Sequence, residues 1–335
     1  MELTVNERTG IGQRNTIAQI VRAILMKHET AVIIPFILLF ALFYSRNDAM
    51  VNPNTLSSIL RTMAFPGLIS MGMVQLMIAG EIDLSTGAMM SLSAVLAAKL
   101  MRDGGFTLTE AVLCSLLVSL LVGAFNAFMR VNIGISSVIG TIGTQFIVRG
   151  ISYSFTNGLP IYPLPPEVGI VGSWKPLGIS FTFFLMLGLV VMVQILLNQT
   201  RWGSMLFATG ANRTAAEICG INTNRVKTIC FMLTSLLAGM AGLLTMSQIP
   251  GTPGDPIIGR SLEFDTLAGI IIGGVSLYGG RGSAIGTLIG VMFIQLVRSG
   301  LIIGHFNPYL STPSLGILMT VAASVDVLRH RSREN

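Results

Sequence analysis

The chain has 335 residues, of which 52% are hydrophobic and only 11% are charged, and its mean hydropathy is +0.74. Ordinary soluble domains carry roughly 25% charged residues. The composition therefore excludes a soluble globular protein and predicts an all-α, polytopic membrane protein. Its formal net charge of +6 needs no nucleic acid partner to explain it.

Thirty mostly polar residues precede the first apolar run, with no small-residue cleavage site after it, so a cleaved signal peptide is not expected. Within this N-terminal segment, residues 17–25 have helical apolar spacing. They fit either a helix on the membrane surface or an extension of the first span. We assign residues 1–30 to a cytoplasmic segment, 31–328 to the transmembrane domain with an inner loop at 200–227, and 329–335 to a cytoplasmic tail.

About ten transmembrane helices are predicted within residues 31–328. A hydrocarbon core of about 30 Å takes roughly 17 to 25 helical residues, so the shorter runs must include flanking residues or re-enter the membrane. The apolar runs lie at 31–45, 58–79, 84–100, 108–129, 133–155, 179–198, 228–248, 266–280, 283–304 and 313–328. With the N-terminus inside, the inner segments hold 13 of the 21 Lys and Arg residues and the outer segments hold 8. This bias favours two cytoplasmic termini.

The stretch "GEIDLSTG" places two carboxylates between the second and third spans. Because charges are costly in hydrocarbon, we expect the stretch at the membrane edge, where the third helix begins. Asp83 or Ser85 can accept hydrogen bonds from the first free amides of that helix, and Glu81 and Asp83 face its positive end. Two interpretations stay open: a helix cap alone, or a cap that also forms part of an inner gate with flexible Gly80 and Gly87.

The spacing of Glu81, Asp83 and Gly87 recurs 182 residues later as Glu263, Asp265 and Gly269. In the ten-span topology the two copies are inverted, as the repeats of many transporters are. This predicts an inverted repeat of two sets of spans. Glycines four residues apart also indicate close helix packing within the chain, and they are Gly269, Gly273, Gly282, Gly286 and Gly290.

Several classes of catalytic site are missing from the sequence. No Lys follows a Gly, so the phosphate-binding signature of nucleotide hydrolases is absent, as are the G-x-S-x-G and H-E-x-x-H patterns. The three histidines lack ligand spacing, and the three cysteines predict no disulfide framework. We expect a transport protein without enzymatic activity, cofactor or metal, whose energy source, if it uses one, is another chain.

The inner loop "TRWGSMLFATGANRTAAEICGINTNRVK", from Thr200 to Lys227, is the longest polar interruption. Its segment from Arg213 to Cys219, bounded by Gly210 and Gly220, predicts a short cytoplasmic helix. From spacing alone, this helix is either a docking element or an amphipathic connector resting on the membrane.

Part of that loop, "ATGANRTAAEICGINTNRVK", resembles the inner-loop signature of permease subunits of ATP-binding-cassette (ABC) importers, E-A-A-x-x-x-G. Ala215, Ala216 and Gly220 match it, Thr214 stands in place of the Glu, and the trailing Leu-Pro is missing. In these departures the loop resembles that of the importer branch that serves ribose, galactose, xylose, rhamnose and autoinducer-2. "GEIDLSTG", "SSVIGTIGTQFIVRGISY" and "LEFDTLAGIIIGGVSLYGGRGSAIGTLIG" also resemble that branch, in the same order.

The resemblance implies a permease subunit that imports a sugar or sugar-like neutral solute through the bacterial inner (plasma) membrane. It implies a cytoplasmic ABC ATPase, a periplasmic or extracellular solute-binding protein, a second permease subunit and membrane lipid as partners. The residues it assigns to ATPase coupling are Gly203, Thr214, Ala215, Ala216, Glu217 and Gly220. The alternatives are an ABC permease for branched amino acids, urea or nucleosides, a secondary carrier, and a channel for uncharged solutes.

Uncharged polar residues within the spans are candidates for the translocation path. Amides and hydroxyls offer hydrogen bonds in both senses without trapping an ion, which suits a neutral polyhydroxylated solute. The same groups also serve as contacts between helices. The candidates are Gln75, Asn126, Thr141, Thr144, Gln145 and Gln295.

Overall fold

The computed structural model describes residues 28–248 and 254–334. The predicted surface helix at 17–25 lies outside these residues. The described residues form thirteen α-helices, which confirms the all-α prediction. They are α1 (His28–Arg46), α2 (Pro53–Ile78), α3 (Thr86–Gly104), α4 (Leu108–Phe128), α5 (Ser137–Thr156), α6 (Gly169–Ser173), α7 (Phe181–Gln199), α8 (Arg201–Ala211), α9 (Arg213–Ile218), α10 (Thr223–Gln248), α11 (Leu262–Ile272), α12 (Ala284–Ile303) and α13 (Ser311–Glu334).

Six of these helices are long and apolar enough to cross a membrane. They are α2, α4 with the π-helical turn Met129–Ile133 that extends it, α7, α10, α12, and α13 up to Leu328. The other predicted apolar runs fall on α1, α3, α5 and α11. Large apolar side chains stay exposed along α4, α5 and α13, such as Leu117, Phe146 and Ile317, as expected for surfaces that contact lipid or another membrane subunit.

The two longest helices, α2 and α10, have 26 residues each and pack against one another at the centre of the structure. Their backbones approach closely at Gly72, where an added Cβ would lie 2.6 Å from the Cα of Thr234. α3 and α4 also pack on α10. The buried core therefore follows these two central helices through the bundle.

The predicted span at 266–280 is wrong in its second half. α11 ends at Ile272, and the following loop holds Gly274, Gly279 and Gly280 at positive φ, which an α-helix cannot contain. The 11 residues of α11 rise about 16 Å, roughly half of the thickness of a hydrocarbon core. Residues 254–261, which precede it, run along α3, where the Ser91 hydroxyl donates to the carbonyl of Pro256 (2.9 Å). α11 is thus a half-length helix reached by a non-helical segment.

The glycine stripes pack as predicted, within the chain and between α11 and α12. A Cβ on Gly290 would lie 1.9 Å from the carbonyl oxygen of Gly269, and one on Gly286 would lie 2.3 Å from that of Gly273. Only glycine permits this approach, so the stripes fix α11 against α12.

The helices share two ends, which we name by the segments that meet there. The basic end comprises residues 79–85, 129–136, 200–222 and 273–283, and the distal end comprises residues 47–52, 105–107, 157–180 and 304–310. Residues 254–261 connect the two regions, because Gly254 pairs with Ile161 whereas Gly259 contacts Gly87. The two E-x-D patterns take different places, because Glu81 and Asp83 precede α3 whereas Glu263 and Asp265 lie inside the first turn of α11. The inverted repeat stays a prediction.

Candidate functional site

The stretch Gly80–Gly87 is a buried break between α2 and α3 at the basic end. Gly80 has φ +81°, and the side chains of Glu81, Asp83 and Ser85 are all at most 3% exposed. Side chains of α5 satisfy its backbone: Leu84 N–H donates to Thr141 Oγ1 (3.0 Å) and Ile82 N–H to Ser137 Oγ (3.4 Å). The break is therefore held by the surrounding helices rather than solvated.

Asp83 organises the turn that leads into α3. Its Oδ1 accepts hydrogen bonds from the amide and the hydroxyl of Ser85 (2.8 and 2.6 Å), and its Oδ2 accepts one from Asn126 Nδ2 (3.2 Å). Ser85 is the residue before the helix, and its own side chain makes no capping bond. The carboxylate thus binds the amide just outside the helix, not an amide of its first turn.

Glu81 is the centre of a buried charge cluster. Its Oε1 accepts hydrogen bonds from Arg130 Nε (2.8 Å), on the π-helical turn after α4, and from Lys227 Nζ, in the first turns of α10. The side chains of Glu81 and Lys227 are 2% and 8% exposed, whereas that of Arg130 is 28% exposed. One carboxylate therefore ties the α2–α3 break to two other helices, and removing it would leave Lys227 buried without a partner.

Gly87 marks a close contact between the two E-x-D regions. A Cβ there would lie 2.0 Å from Glu263 Oε2 and 2.3 Å from the carbonyl of Gly259. Glu263 Oε1 accepts a hydrogen bond from Gln145 Nε2 (2.6 Å), while its buried Oε2 has no hydrogen-bond partner among the described residues. The start of α3 thus packs directly against the start of α11, although the two lie far apart in sequence.

The inner loop forms two helices, and the second, α9, projects from the structure. The prediction of a short helix from Arg213 is confirmed; it ends at Ile218, one residue early, with Asn212 accepting a hydrogen bond from the amide of Ala215 (3.0 Å). Gly220 follows it at φ +82°. Within α9 only Ala216 is buried, and Ile218 is 82% exposed. Ile218 is thus the one large apolar side chain that α9 exposes to solvent.

α9 is bound to the start of α10 by a small polar network. Glu217 Oε1 accepts hydrogen bonds from Arg213 Nε (2.8 Å) and Thr223 Oγ1 (2.6 Å), and the Arg213 guanidinium also donates to Asn224 Oδ1 (3.1 Å). These bonds from Arg213 and then Thr223 hold the pKa of Glu217 below its usual value, so it is charged at neutral pH. Lys227, one turn further along α10, reaches Glu81. Contacts therefore run without interruption from α9 to the α2–α3 break.

Comparison with known families identifies the class of this protein. The family model described as the permease component of a branched-chain amino acid transport system matches residues 55–323. This chain belongs to that permease family.

Individual relatives support the same assignment. The permease is 32% identical over 282 residues to the ribose import permease RbsC of Bacillus subtilis, covering 84% of this chain and 87% of the relative. It is 31% identical over 306 residues to the probable ABC transporter permease YphD of Escherichia coli, covering 90% of each. It is 31% identical over 275 residues to the autoinducer 2 import permease LsrC of Escherichia coli, covering 82% of this chain and 80% of the relative. No solved structure matches the permease.

The residues assigned to ATPase coupling fall into two groups. Thr214, Ala215, Glu217 and Gly220 are exposed on or beside α9. The other two are buried: Ala216 is 3% exposed on α9, and Gly203 lies at the corner between α7 and α8, where a Cβ on Gly203 would meet the carbonyl of Leu197 at 2.0 Å. The geometry of Gly203 gives it a packing role, while the contribution of the exposed group to coupling stays a prediction.

Most of the predicted path residues are engaged in contacts inside the permease. Gln75 accepts a hydrogen bond from Trp202 Nε1 (3.0 Å), and Thr144 donates to the carbonyl of Gly140 (3.2 Å). Asn126 and Thr141 bind the α2–α3 break, and Gln145 binds Glu263, as described above. Gln295 alone of the six lines the distal cavity described below. Whether any of them contacts solute stays a prediction.

Sequence reasoning missed Arg130 and Lys227, the partners of Glu81. They lie 49 and 146 residues from it, and nothing in their local sequence pairs them with a carboxylate. It also missed Ile218, because the loop holds other apolar residues, such as Leu206 and Phe207, and nothing in the sequence shows which of them are exposed.

Proposed function

We propose that this permease imports a sugar-like neutral solute, driven by a separate cytoplasmic ABC ATPase that docks on α9. The observation that carries the proposal is the exposed helix α9 with its contacts to α10 and, through Lys227, to Glu81 in the α2–α3 break. A force applied to α9 reaches buried residues between the membrane helices through these bonds. Hydrogen-bond and ion-pair networks of this kind carry coupling between distant sites when they have two discrete arrangements.

The relatives support a sugar rather than an amino acid as the solute. Two of them are named for ribose and autoinducer-2 import, although the family model carries the name of branched-chain amino acid transport. All six candidate path residues make hydrogen bonds within the structure, and none carries a charge. A neutral, hydroxyl-rich solute needs no charged site to bind.

The proposal includes the partners and the orientation expected of such an importer. The basic end, which holds Arg130, Lys227 and α9, is the cytoplasmic end, in agreement with the excess of Lys and Arg in the inner segments. Both termini then lie in the cytoplasm of a bacterial cell. An external solute-binding protein faces the distal end, and a second permease subunit covers part of the exposed apolar surface of the bundle.

Reconstitution tests the energy source. The permease is placed in proteoliposomes with its cognate ATPase and binding protein, and uptake of labelled sugars and branched-chain amino acids is followed. We expect uptake of a sugar only when ATP and the ATPase are both present. Uptake driven by an ion gradient without ATP would instead establish a secondary carrier, and uptake without either energy source would establish a channel. ATP-driven uptake of amino acids alone would establish an ABC permease for branched-chain amino acids.

A further inference from the structure

A large cavity opens at the distal end of the permease, between α2, α11, α12 and the start of α13. Its volume is about 700 Å³, within the range of small-molecule sites. One part of its wall is apolar, formed by Ile59, Pro66, Leu262, Ile302 and Ile303. The other part is polar and includes Thr62, Asp265, Gln295, Arg298 and Ser299.

The cavity reaches deep into the bundle. Its lining on α2 extends from Asn54 to Pro66, thirteen residues with a helical rise of about 18 Å between the first and the last. A hydrocarbon core is about 30 Å thick, so the floor of the cavity is near the middle of the membrane. Leu262, the first residue of the half-length helix α11, forms part of that floor. Ends of discontinuous helices near the midplane are where transporters commonly bind their solutes.

The polar wall presents hydrogen-bonding groups of both kinds without a net charge. Arg298 donates to Asp265 Oδ1 (2.6 Å), and Gln295 Nε2 donates to Thr62 Oγ1 (2.8 Å) and Ser299 Oγ (3.0 Å). Asp265 is 6% exposed, whereas Arg298 is 37% exposed, so the guanidinium is the charged group that a solute can reach. The buried Arg298 Nε has no acceptor among the described residues.

A backbone group adds an acceptor to this wall. Pro66 lies inside α2 and has no amide hydrogen, so the carbonyl of Thr62 lacks the bond it would receive from residue 66 in a regular helix. Thr62 itself is exposed although its neighbours Met63 and Ala64 are buried, because it faces the cavity.

We propose that this cavity is an external binding site for the transported sugar, within one permease subunit. The hydroxyl, amide, carbonyl and guanidinium groups match the alternating donors and acceptors of a polyhydroxylated solute, and the apolar wall matches the C–H face of its ring. Asp265 balances the charge of Arg298, so the wall has no net charge, which suits a neutral solute. The proposal rests on the proposed function and adds a place where the solute waits before the basic end opens.

The test measures whether the transported sugar shields the cavity. Cys114 and Cys219 are first replaced by serine, while the fully buried Cys230 remains. Ser299→Cys is then introduced into the full-length permease in complex with its ATPase in lipid nanodiscs, and its reaction with a charged thiol reagent is timed. Ser173→Cys, an exposed distal-end serine outside the cavity, is the matched control. The sugar is the one taken up in the reconstitution described above.

We expect the sugar to slow labelling of Ser299→Cys and to leave labelling of Ser173→Cys unchanged. Adding Gln295→Leu removes a hydrogen-bonding group from the wall and should raise the sugar concentration for half-protection about tenfold, the loss of about one good hydrogen bond. Gln199→Leu, the same change at an exposed residue near the basic end, should not.

Three results would overturn the proposal. Labelling that the transported sugar does not slow would place the solute elsewhere while leaving the proposed function intact. Labelling that is blocked before any sugar is added would show that lipid or another subunit fills the cavity. Failure of ATP-driven uptake for every sugar would refute the proposed function, and this inference with it.

Discussion

Replacing Glu81 by Gln should destabilise the permease strongly, because the change removes one carboxylate shared by two cations. Lys227 is 8% exposed and would be left buried and unpaired, which typically costs about 3 to 5 kcal/mol. Arg130 is 28% exposed, so water can solvate its guanidinium once the carboxylate is gone, and losing this ion pair should cost no more than about 1 kcal/mol. The free energy of unfolding should therefore fall by roughly 3 kcal/mol or more, and uptake should be lost.

A double-mutant cycle separates the ion pair from unspecific damage. Lys227→Met leaves Glu81 with Arg130 and should cost less than Glu81→Gln. The double variant Glu81→Gln with Lys227→Met removes both buried charges, and its cost should be smaller than the sum of the two single costs by at least about 1 kcal/mol. The measurement is chemical unfolding of the purified variants in mixed micelles, with uptake followed in the same preparations.

The exposed pair Lys99–Asp103 is the matched control, since it joins the same types of group at 3.0 Å with side chains 39% and 44% exposed. Its removal should change the unfolding free energy by no more than about 0.5 kcal/mol, the usual value for a surface pair on one helix. The reasoning fails if Glu81→Gln costs no more than Asp103→Asn, or if the Glu81 and Lys227 effects add within about 0.5 kcal/mol.

Three further substitutions test the other parts of the site. Ile218→Asp should abolish co-purification of the ATPase while the permease stays folded. Ile170→Asp, at an exposed apolar residue of the distal end, should still co-purify with the ATPase. If both variants co-purify equally with the ATPase, α9 is not part of the interface. Gly220→Ala should lower the free energy of unfolding by about 1 kcal/mol because of its positive φ alone, since no atom lies within 4 Å of the added Cβ. Gly143→Ala, in open space on α5, should not lower it. A Gly220→Ala variant with unchanged unfolding free energy would contradict the strain argument. Asp83→Asn should keep normal abundance, since its amide oxygen can still accept from Ser85 and Asn126 can rotate its free carbonyl toward the new amide, whereas Asp83→Ala should lose abundance. Poor uptake by an abundant Asp83→Asn would favour a charged gate over a cap. Normal abundance and uptake in both variants would leave the stretch without either role.

The sequence predicted those parts of the fold that local pattern determines. Apolar runs located the membrane helices, and the glycine spacing located the α11–α12 contact, because close helix approach requires small residues at that spacing. The helix α9 was predicted from its bounding glycines, since Gly220 has the positive φ that ends it. These features depend on residues that are neighbours in the chain.

The parts that sequence reasoning missed depend on backbone angles that hydropathy does not report or on contacts between distant residues. The run 266–280 is apolar throughout, but its second half contains glycines whose backbone angles stop the helix, so hydropathy alone overestimated α11. α8 was assigned to a loop because it lies in the polar interruption 200–227, although it is a helix that buries Gly203, Leu206 and Thr209. The partners of Glu81 could not be read locally, because Arg130 and Lys227 meet it only after three helices have packed together.

The central claim is that α9 is the cytoplasmic docking site of an ATPase. Thiol labelling of Thr214→Cys in whole cells and in inverted vesicles tests it most directly. Thr214 is exposed on α9, and replacing Cys114 and Cys219 by serine provides a silent background, since Cys230 is buried. We predict that an impermeant reagent labels Thr214→Cys only in inverted vesicles, and that added ATPase protects it, while Ser173→Cys is labelled only in whole cells. Labelling of Thr214→Cys from outside the cell, or labelling that the ATPase leaves unchanged, would contradict the account.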